Sequence, residues 1–194
     1  MFSEDVLASR MYAICSTIFN LMYLTLLFML FSLPIITIAP AFIALVATIR
    51  QPQLNIFPTF FKSFKQNFFR SFAILAFNIA SIMFLAQIRP FIGTILMGNL
   101  VYSFILGFLI VYNLNAYLLV DLLKKANLTF FRQVFFFTVG TFYKSFFIPI
   151  IAAGLVIIFP IIGGATLLLM AVSIVPAIYL KMIKKDLEII KDYL

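Results

Sequence analysis

The chain has 194 residues, of which 65% are hydrophobic and only 10% are charged, and its mean hydropathy is +1.19. Soluble domains are about 45–50% apolar and about 25% charged, so a soluble fold of this length has too little interior to hide this much apolar surface. The lipid bilayer is therefore the expected solvent. The net charge of +8 does not indicate nucleic-acid binding, because the basic residues stand in short clusters between apolar stretches, as the positive-inside rule describes.

Composition also disfavours several kinds of chemistry. The chain has no His, the commonest general base and metal ligand, and its single Cys, Cys15, lies inside an apolar stretch. A GxxxxGK[ST] phosphate-binding loop is absent, so the chain does not bind ATP in that way. We expect no enzymatic activity, no cofactor and no metal.

The longest uncharged run, Met11 to Ile49, is too long for one membrane span and suits two spans joined by a tight turn. Pro34 ends a helix because it lacks an N–H and clashes with the preceding turn. Thr37 is predicted to cap the backbone donors of the next helix, and Pro40 suits that helix's first turn. The sequence thus predicts an N-terminal hairpin over residues 11–50.

Two stretches in this region carry a family resemblance. SLPIITIAPA (Ser32–Ala41) and the basic-aromatic FFKSFKQNFFR (Phe60–Arg70) resemble the YesL-like family of bacterial membrane proteins. That family's pattern reads close to SLPIVTIGPA followed by an FFxSFKxNF-type stretch, and Ala39 departs from it where Gly is usual. The similarity covers roughly residues 10 to 75 and is looser to about residue 185. It implies a small multi-span protein, often encoded near carbohydrate ABC transporters, with no established activity.

We predict an all-α polytopic membrane helix bundle of five to six spans with two interfacial amphipathic helices, in a single domain over residues 1–194. The six spans are placed at Tyr12–Leu33, Pro40–Arg50, Ser71–Ile88, Asn99–Val120, Ser145–Phe159 and Ala165–Leu180. The second is short, so a re-entrant half-span over residues 34–50 is the alternative. Pro160 and Gly163-Gly164 mark the break between the last two spans, and an outer loop is expected at Phe91–Gly98.

Two basic-aromatic segments are the predicted interfacial helices. Phe57–Arg70 has aromatic residues on one helical face and basic residues on the other, as expected of a helix lying among lipid headgroups. Asn127–Lys144 has a similar, less regular pattern. The basic residues of the two segments that we assign to the interface are Lys62, Lys65, Arg70, Arg132 and Lys144. They are predicted to contact the anionic inner leaflet, with docking of a cytoplasmic protein as the alternative.

Charge sets the predicted orientation. With six spans, 13 of the 14 Lys and Arg residues face one side and only Arg89 faces the other, so the crowded side is the cytoplasm. An outside N-terminus moves Arg10 and still leaves 12 against 2. We predict a cytoplasmic C-terminus and, from the length of the first apolar run, a cytoplasmic N-terminus.

Similar short motifs indicate a parallel repeat of residues 57–120 and 127–180. TFFK at Thr59–Lys62 recurs as TFFR at Thr129–Arg132. Parallel repeats of this kind occur in some transporters. Chance is the competing explanation, because the chain contains 26 Phe residues.

Asn113, Tyr117 and Asp121 recur every four residues and form a candidate polar stripe along the fourth span. Such a stripe lines a polar path or recognises a partner helix. The simpler interpretation is that Asn113 and Tyr117 form ordinary interhelical hydrogen bonds, while Asp121 pairs with Lys124 or Lys125 at the interface.

These observations favour a non-enzymatic, multi-pass protein of the bacterial plasma membrane that is an accessory or partner of a carbohydrate ABC transporter. Its expected partners are the transporter's membrane subunits and the anionic inner leaflet, and not nucleic acid. The alternatives are a small carrier or channel, and a membrane protein of envelope stress or bacteriocin immunity.

Overall fold

The computed structural model describes residues 4–51, 55–92, 97–123 and 127–192, and every element in these ranges is helical. The helices are α1 (Glu4–Ser32), a 3-10 turn (Ile35–Thr37), α2 (Ile38–Arg50), α3 (Ile56–Ile92), α4 (Gly98–Leu123), α5 (Leu128–Ser145), α6 (Phe147–Met182) and α7 (Lys184–Asp192). Within the described residues, α1 from Met11 onwards, α3 and α4 are long and apolar enough to cross a membrane. The prediction of an all-helical protein of the membrane type is confirmed at this level.

The predicted bend at Pro34 is present. Helix α1 ends at Ser32, Pro34 has an extended backbone, and Pro40 lies in the first turn of α2. The predicted role of Thr37 is wrong, because its side chain makes no hydrogen bond to the start of α2. Its hydroxyl instead contacts two carbonyl oxygens, those of Phe31 at 2.6 Å and Pro34 at 2.7 Å. The Phe31 carbonyl belongs to the last turn of α1, where carbonyls lack helical donors, and the Thr37 hydroxyl supplies one.

The predicted interfacial helix Phe57–Arg70 and the third span are one continuous helix, α3, which has 37 residues. Its buried positions include Phe60, Ser63, Asn67 and Ser71, which follow each other at three- and four-residue intervals through the predicted boundary. A separate in-plane helix would break this face, which packs mainly on α2. The aromatic face singled out in the sequence is more exposed, since Phe61 keeps 46% of its surface.

Helix α6 runs through the predicted break between the last two spans, yet its two ends meet. Ser145, two residues before its start, lies 2.8 Å from the hydroxyl of Tyr179, measured between oxygens. A straight helix from Phe147 to Tyr179 would be about 48 Å long at about 1.5 Å per residue. The backbone is therefore helical throughout but folds back on itself, with a first arm from Phe147 and a second arm ending at Met182.

Helix α2 forms the centre of the bundle. It has 13 residues, nine of which are buried, and it packs against α1, α3, α4 and α6. Four of the buried residues are alanines, whose small side chains allow neighbouring backbones to approach closely. At about 1.5 Å per residue α2 is about 20 Å long, which is less than the hydrocarbon thickness of about 30 Å.

Candidate functional site

Asp121, the acidic member of the predicted stripe, lies where α2, α3 and α4 meet. Its carboxylate forms an ion pair with the guanidinium of Arg50, the last residue of α2. It also accepts hydrogen bonds from the Ser63 hydroxyl at 3.2 Å and the Asn67 amide at 2.9 Å. The Arg50 and Asp121 side chains keep only 12% and 16% of their surfaces. A carboxylate removed from water to this extent needs both a counter-charge and hydrogen-bond donors, and this cluster supplies both.

The sequence did not reveal this arrangement. Lys124 and Lys125, the expected partners of Asp121, lie outside the described residues. The partner that the structure shows is Arg50, 71 residues earlier in the chain. Ser63 and Asn67 stand one helical turn apart on α3, so they reach the same carboxylate, but their spacing alone did not distinguish them from ordinary helix-surface residues.

A polar cleft of about 310 Å³ opens beside the ion pair. It is lined by Ala47, Arg50, Gln51, Thr59, Lys62, Ser63, Gln66, Asp121 and Leu122. Two nitrogens of Arg50, Nε and Nη1, are buried and have no hydrogen-bond partner among the described residues. The guanidinium therefore uses only part of its donor capacity in the ion pair.

The other two stripe residues face a different cavity, of about 400 Å³, between α2, α3 and α4. The Asn78 amide donates a hydrogen bond to the hydroxyl of Tyr117. The carbonyl oxygens of Asn78 and Asn113 are buried without a partner among the described residues. Most of the remaining lining is aliphatic, from residues such as Leu109. The stripe is thus divided, with Asn113 and Tyr117 in an apolar cavity and Asp121 in the ion-pair cluster.

A third polar group was missed in the sequence. Asn115 donates to the Thr138 hydroxyl at 3.0 Å and accepts a hydrogen bond from Tyr179, which also contacts Ser145. All four residues are buried, and they join α4, α5 and the second arm of α6. Asn115 lies two positions from Asn113 and so faces another side of α4, which is the one sequence signal that separates the two.

The predicted interfacial basic residues have different surroundings. Lys62 and Lys65 are exposed on α3, whereas Arg70 is half-buried. On α5, Arg132 lies 5.7 Å from the Phe136 ring centroid. Lys144 forms an ion pair of 2.7 Å with Asp186 at the start of α7, and this hydrogen bond raises the pKa of the lysine above its ordinary value.

Comparison with known proteins gives one match. Residues 21–87 match the model of a family described as "Protein of unknown function, DUF624". The matched stretch contains the bend, α2 and most of α3, including Arg50, Ser63 and Asn67, but not Asp121. No curated protein and no solved structure matches the chain.

Proposed function

We propose that the protein is a non-enzymatic accessory protein of the bacterial plasma membrane that binds the membrane subunits of a carbohydrate ABC transporter. The resemblance of Ser32–Ala41 and Phe60–Arg70 to YesL-like proteins supplies the class of partner. The observation that favours a partner protein over a carrier is the ion pair of Asp121. A carboxylate that holds Arg50, Ser63 and Asn67 together is committed to joining three helices, and so is not free to bind a passing substrate.

Four contacts support an orientation for this protein. The hydroxyl of Thr25 in α1 lies 2.8 Å from that of Ser173 in α6, and the Phe31 ring of α1 packs at a tilt against the Phe64 ring of α3, beside Ser63. From Ser173 the second arm of α6 runs on to Tyr179, which contacts Asn115 of α4. From Asn115, in turn, α4 runs on to Asp121, which contacts Ser63. The steps Thr25 to Phe31, Ser173 to Tyr179 and Asn115 to Asp121 therefore all lead towards the Ser63 end of α3.

Helices α1, α4 and the second arm of α6 thus run in one direction, opposite to α3. If the end of α4 faces the cytoplasm, as the basic residues of the chain favour, then α1 starts outside. We infer five crossings, formed by α1, α3, α4 and the two arms of α6, with an outside N-terminus and a cytoplasmic C-terminus. This replaces the cytoplasmic N-terminus expected from the sequence and agrees with the 12-against-2 distribution of basic residues.

In this arrangement α2 does not cross the membrane. Phe31, just before the bend, contacts Phe60 and Phe64 near the start of α3. Arg50, at the end of α2, bonds Asp121, which is bonded to Asn67 in the same part of α3. If α2 crossed the membrane completely, Phe31 and Arg50 would lie on opposite sides of the hydrocarbon, about 30 Å apart. Helix α2 is therefore the re-entrant alternative, a half-span enclosed by the cytoplasmic half of the bundle.

A carrier function is the second candidate, and the cavity containing Asn78, Asn113 and Tyr117 is the observation that favours it. An apolar cavity with a few convergent polar groups is the usual form of a small-molecule site. Its lining includes Asn78 and Asn113, whose amide oxygens have no hydrogen-bond partner among the described residues.

Cross-linking and co-purification from native membranes test the first proposal. We expect a tagged copy of the protein to recover transporter membrane subunits, and recovery to persist when Asn113 is replaced by Leu. Flux of a sugar into reconstituted vesicles that is abolished by Asn113→Leu, with no transporter subunit recovered, would favour the carrier instead.

A further inference from the structure

The polar cleft beside the Arg50–Asp121 ion pair has an excess of positive charge. Arg50 and Lys62 contribute two cationic groups, and Asp121 contributes one carboxylate, which already accepts hydrogen bonds from Ser63 and Asn67. The cleft retains one uncompensated positive charge. Of the two cations that line the cleft, Lys62 is exposed, whereas the Arg50 side chain keeps only 12% of its surface.

Hydrogen-bond donors are also available. Two Arg50 nitrogens, Nε and Nη1, are enclosed without an acceptor among the described residues, so Arg50 contributes to the cleft mainly through its positive charge. The amides of Gln51 and Gln66 line the same cleft. A tetrahedral oxyanion offers several acceptor oxygens and satisfies donors that converge from different directions.

The depth of the cleft follows from the proposed orientation, on which this inference rests. It lies where α2 and α4 end, close to the start of α3, and so at the cytoplasmic boundary of the hydrocarbon. Basic pockets between helices at this level bind the headgroups of anionic lipids. The apolar face of α3 beside the rim, with Phe61 exposed, suits acyl chains that leave the headgroup.

We propose that this cleft binds a phosphate group, namely that of an anionic phospholipid headgroup, with Lys62 and Arg50 as its cationic ligands and the Gln51 and Gln66 amides as further donors. The bound phosphate would join the end of α2 to the start of α3. General attraction of basic residues to a charged leaflet would depend equally on every exposed lysine, whereas binding at this site should depend on Lys62 in particular.

Lys62 and Lys65 provide a matched pair for the test. Both are exposed lysines on α3, three residues apart, but only Lys62 lines the cleft. The full chain is purified in a neutral detergent, and binding of phosphatidylglycerol, phosphatidylcholine and inorganic phosphate is measured by native mass spectrometry and by the shift in thermal stability. We expect a preference for phosphatidylglycerol that falls about tenfold in Lys62→Gln, equivalent to about 1.4 kcal/mol. Lys65→Gln should change it less than twofold, and Lys62→Arg should retain it.

Equal losses in Lys62→Gln and Lys65→Gln, or equal binding of the two lipids, would overturn the proposal. If inorganic phosphate alone binds with the same dependence on Lys62, the site holds a phosphate group as proposed, but from solution and not from a lipid. No transporter is present in this assay, so its result is independent of the co-purification that tests the proposed function.

Discussion

Arg50 at the end of α2 and Asp121 in the last turn of α4 are 71 residues apart in the chain and form an ion pair that joins the two helices. Both side chains are largely buried, and the carboxylate is also bonded to Ser63 and Asn67 of α3. The short helix α2 is thereby fixed to both of its long neighbours at one end. At its other end, Thr37 joins α2 to the last turn of α1.

The first prediction concerns Thr37. Replacement by Val keeps the shape of the side chain but removes the hydroxyl that contacts the Phe31 and Pro34 carbonyls. The Pro34 carbonyl keeps the Thr37 amide as a donor, but the part-buried Phe31 carbonyl loses the hydroxyl. A lost hydrogen bond costs about 0.5–1.5 kcal/mol, so Thr37→Val should lower the thermal stability in detergent. Thr17→Val is the control, because the exposed Thr17 hydroxyl bonds only a carbonyl within its own helix. Equal melting temperatures for the two variants would show that the bend does not depend on Thr37.

The second prediction tests the contact between α1 and the second arm of α6. The hydroxyl oxygens of Thr25 and Ser173 are 2.8 Å apart, so cysteines at these positions bring their sulfur atoms close to bonding distance. In a chain whose Cys15 is replaced by Ser, the Thr25→Cys and Ser173→Cys pair should form a disulfide under mild oxidation. Moving the first cysteine to Thr17, about 12 Å along the helix, should abolish it. Efficient cross-linking from Thr17 and not from Thr25 would contradict the contact between α1 and α6.

The third prediction is a pH dependence for the attachment of α7. The hydrogen bond to Asp186 raises the pKa of Lys144 above 10.5, its ordinary value. A lysine whose pKa is higher in the folded than in the unfolded state stabilises the fold while it is protonated. This stabilisation is complete below the pKa of the unfolded state and is lost as the pH rises through the pKa of the folded state. Amide exchange in α7 should therefore be constant from neutral pH to about 10 after correction for intrinsic rates, and should increase above it. In Lys144→Gln this additional increase should be absent, and an unchanged alkaline profile would remove the role of Lys144.

Several features of the fold were predictable because their causes are local. Pro34 and Pro40 interrupt an apolar run, and they give the bend. The fourth span, predicted at Asn99–Val120, corresponds to α4 at Gly98–Leu123. Each depends on residues close together in the chain, such as a proline that withholds a donor or an apolar stretch of sufficient length.

The features that were not predicted depend on residues far apart in the chain. The division at Arg70 was wrong because α3 buries a continuous face against α2, and that neighbour cannot be read from the composition of α3 itself. Asp121 was assigned to Lys124 and Lys125 because they are close to it in the sequence. Its observed partner, Arg50, lies beside it because the bend turns α2 back into the bundle. Asn115 was not singled out, because the residue that it bonds, Tyr179, lies on the returning arm of α6 and 64 residues away in the chain.

The fourth prediction concerns the N-terminus. A protease-cleavable tag placed before α1 should be removed from intact spheroplasts by an added protease, because five crossings leave the N-terminus outside. A tag placed after α7 should be protected until the membrane is permeabilised. Protection of both tags would support six crossings and a cytoplasmic N-terminus.

The ion pair of Arg50 and Asp121 carries the proposal that Asp121 holds helices together and does not bind a transported substrate. Removing one member of a buried pair costs about 3–5 kcal/mol, because the other charge is left without a partner. Asp186→Asn makes the same chemical change in a more exposed ion pair and serves as the control. The decisive measurement is a double-mutant cycle of thermal stability in detergent with Asp121→Asn, Arg50→Gln and both together. We predict that each single change is strongly destabilising, that the double change is much less so than their sum, and that Asp186→Asn has a small effect. A near-neutral Asp121→Asn, or two single effects that simply add, would contradict this account.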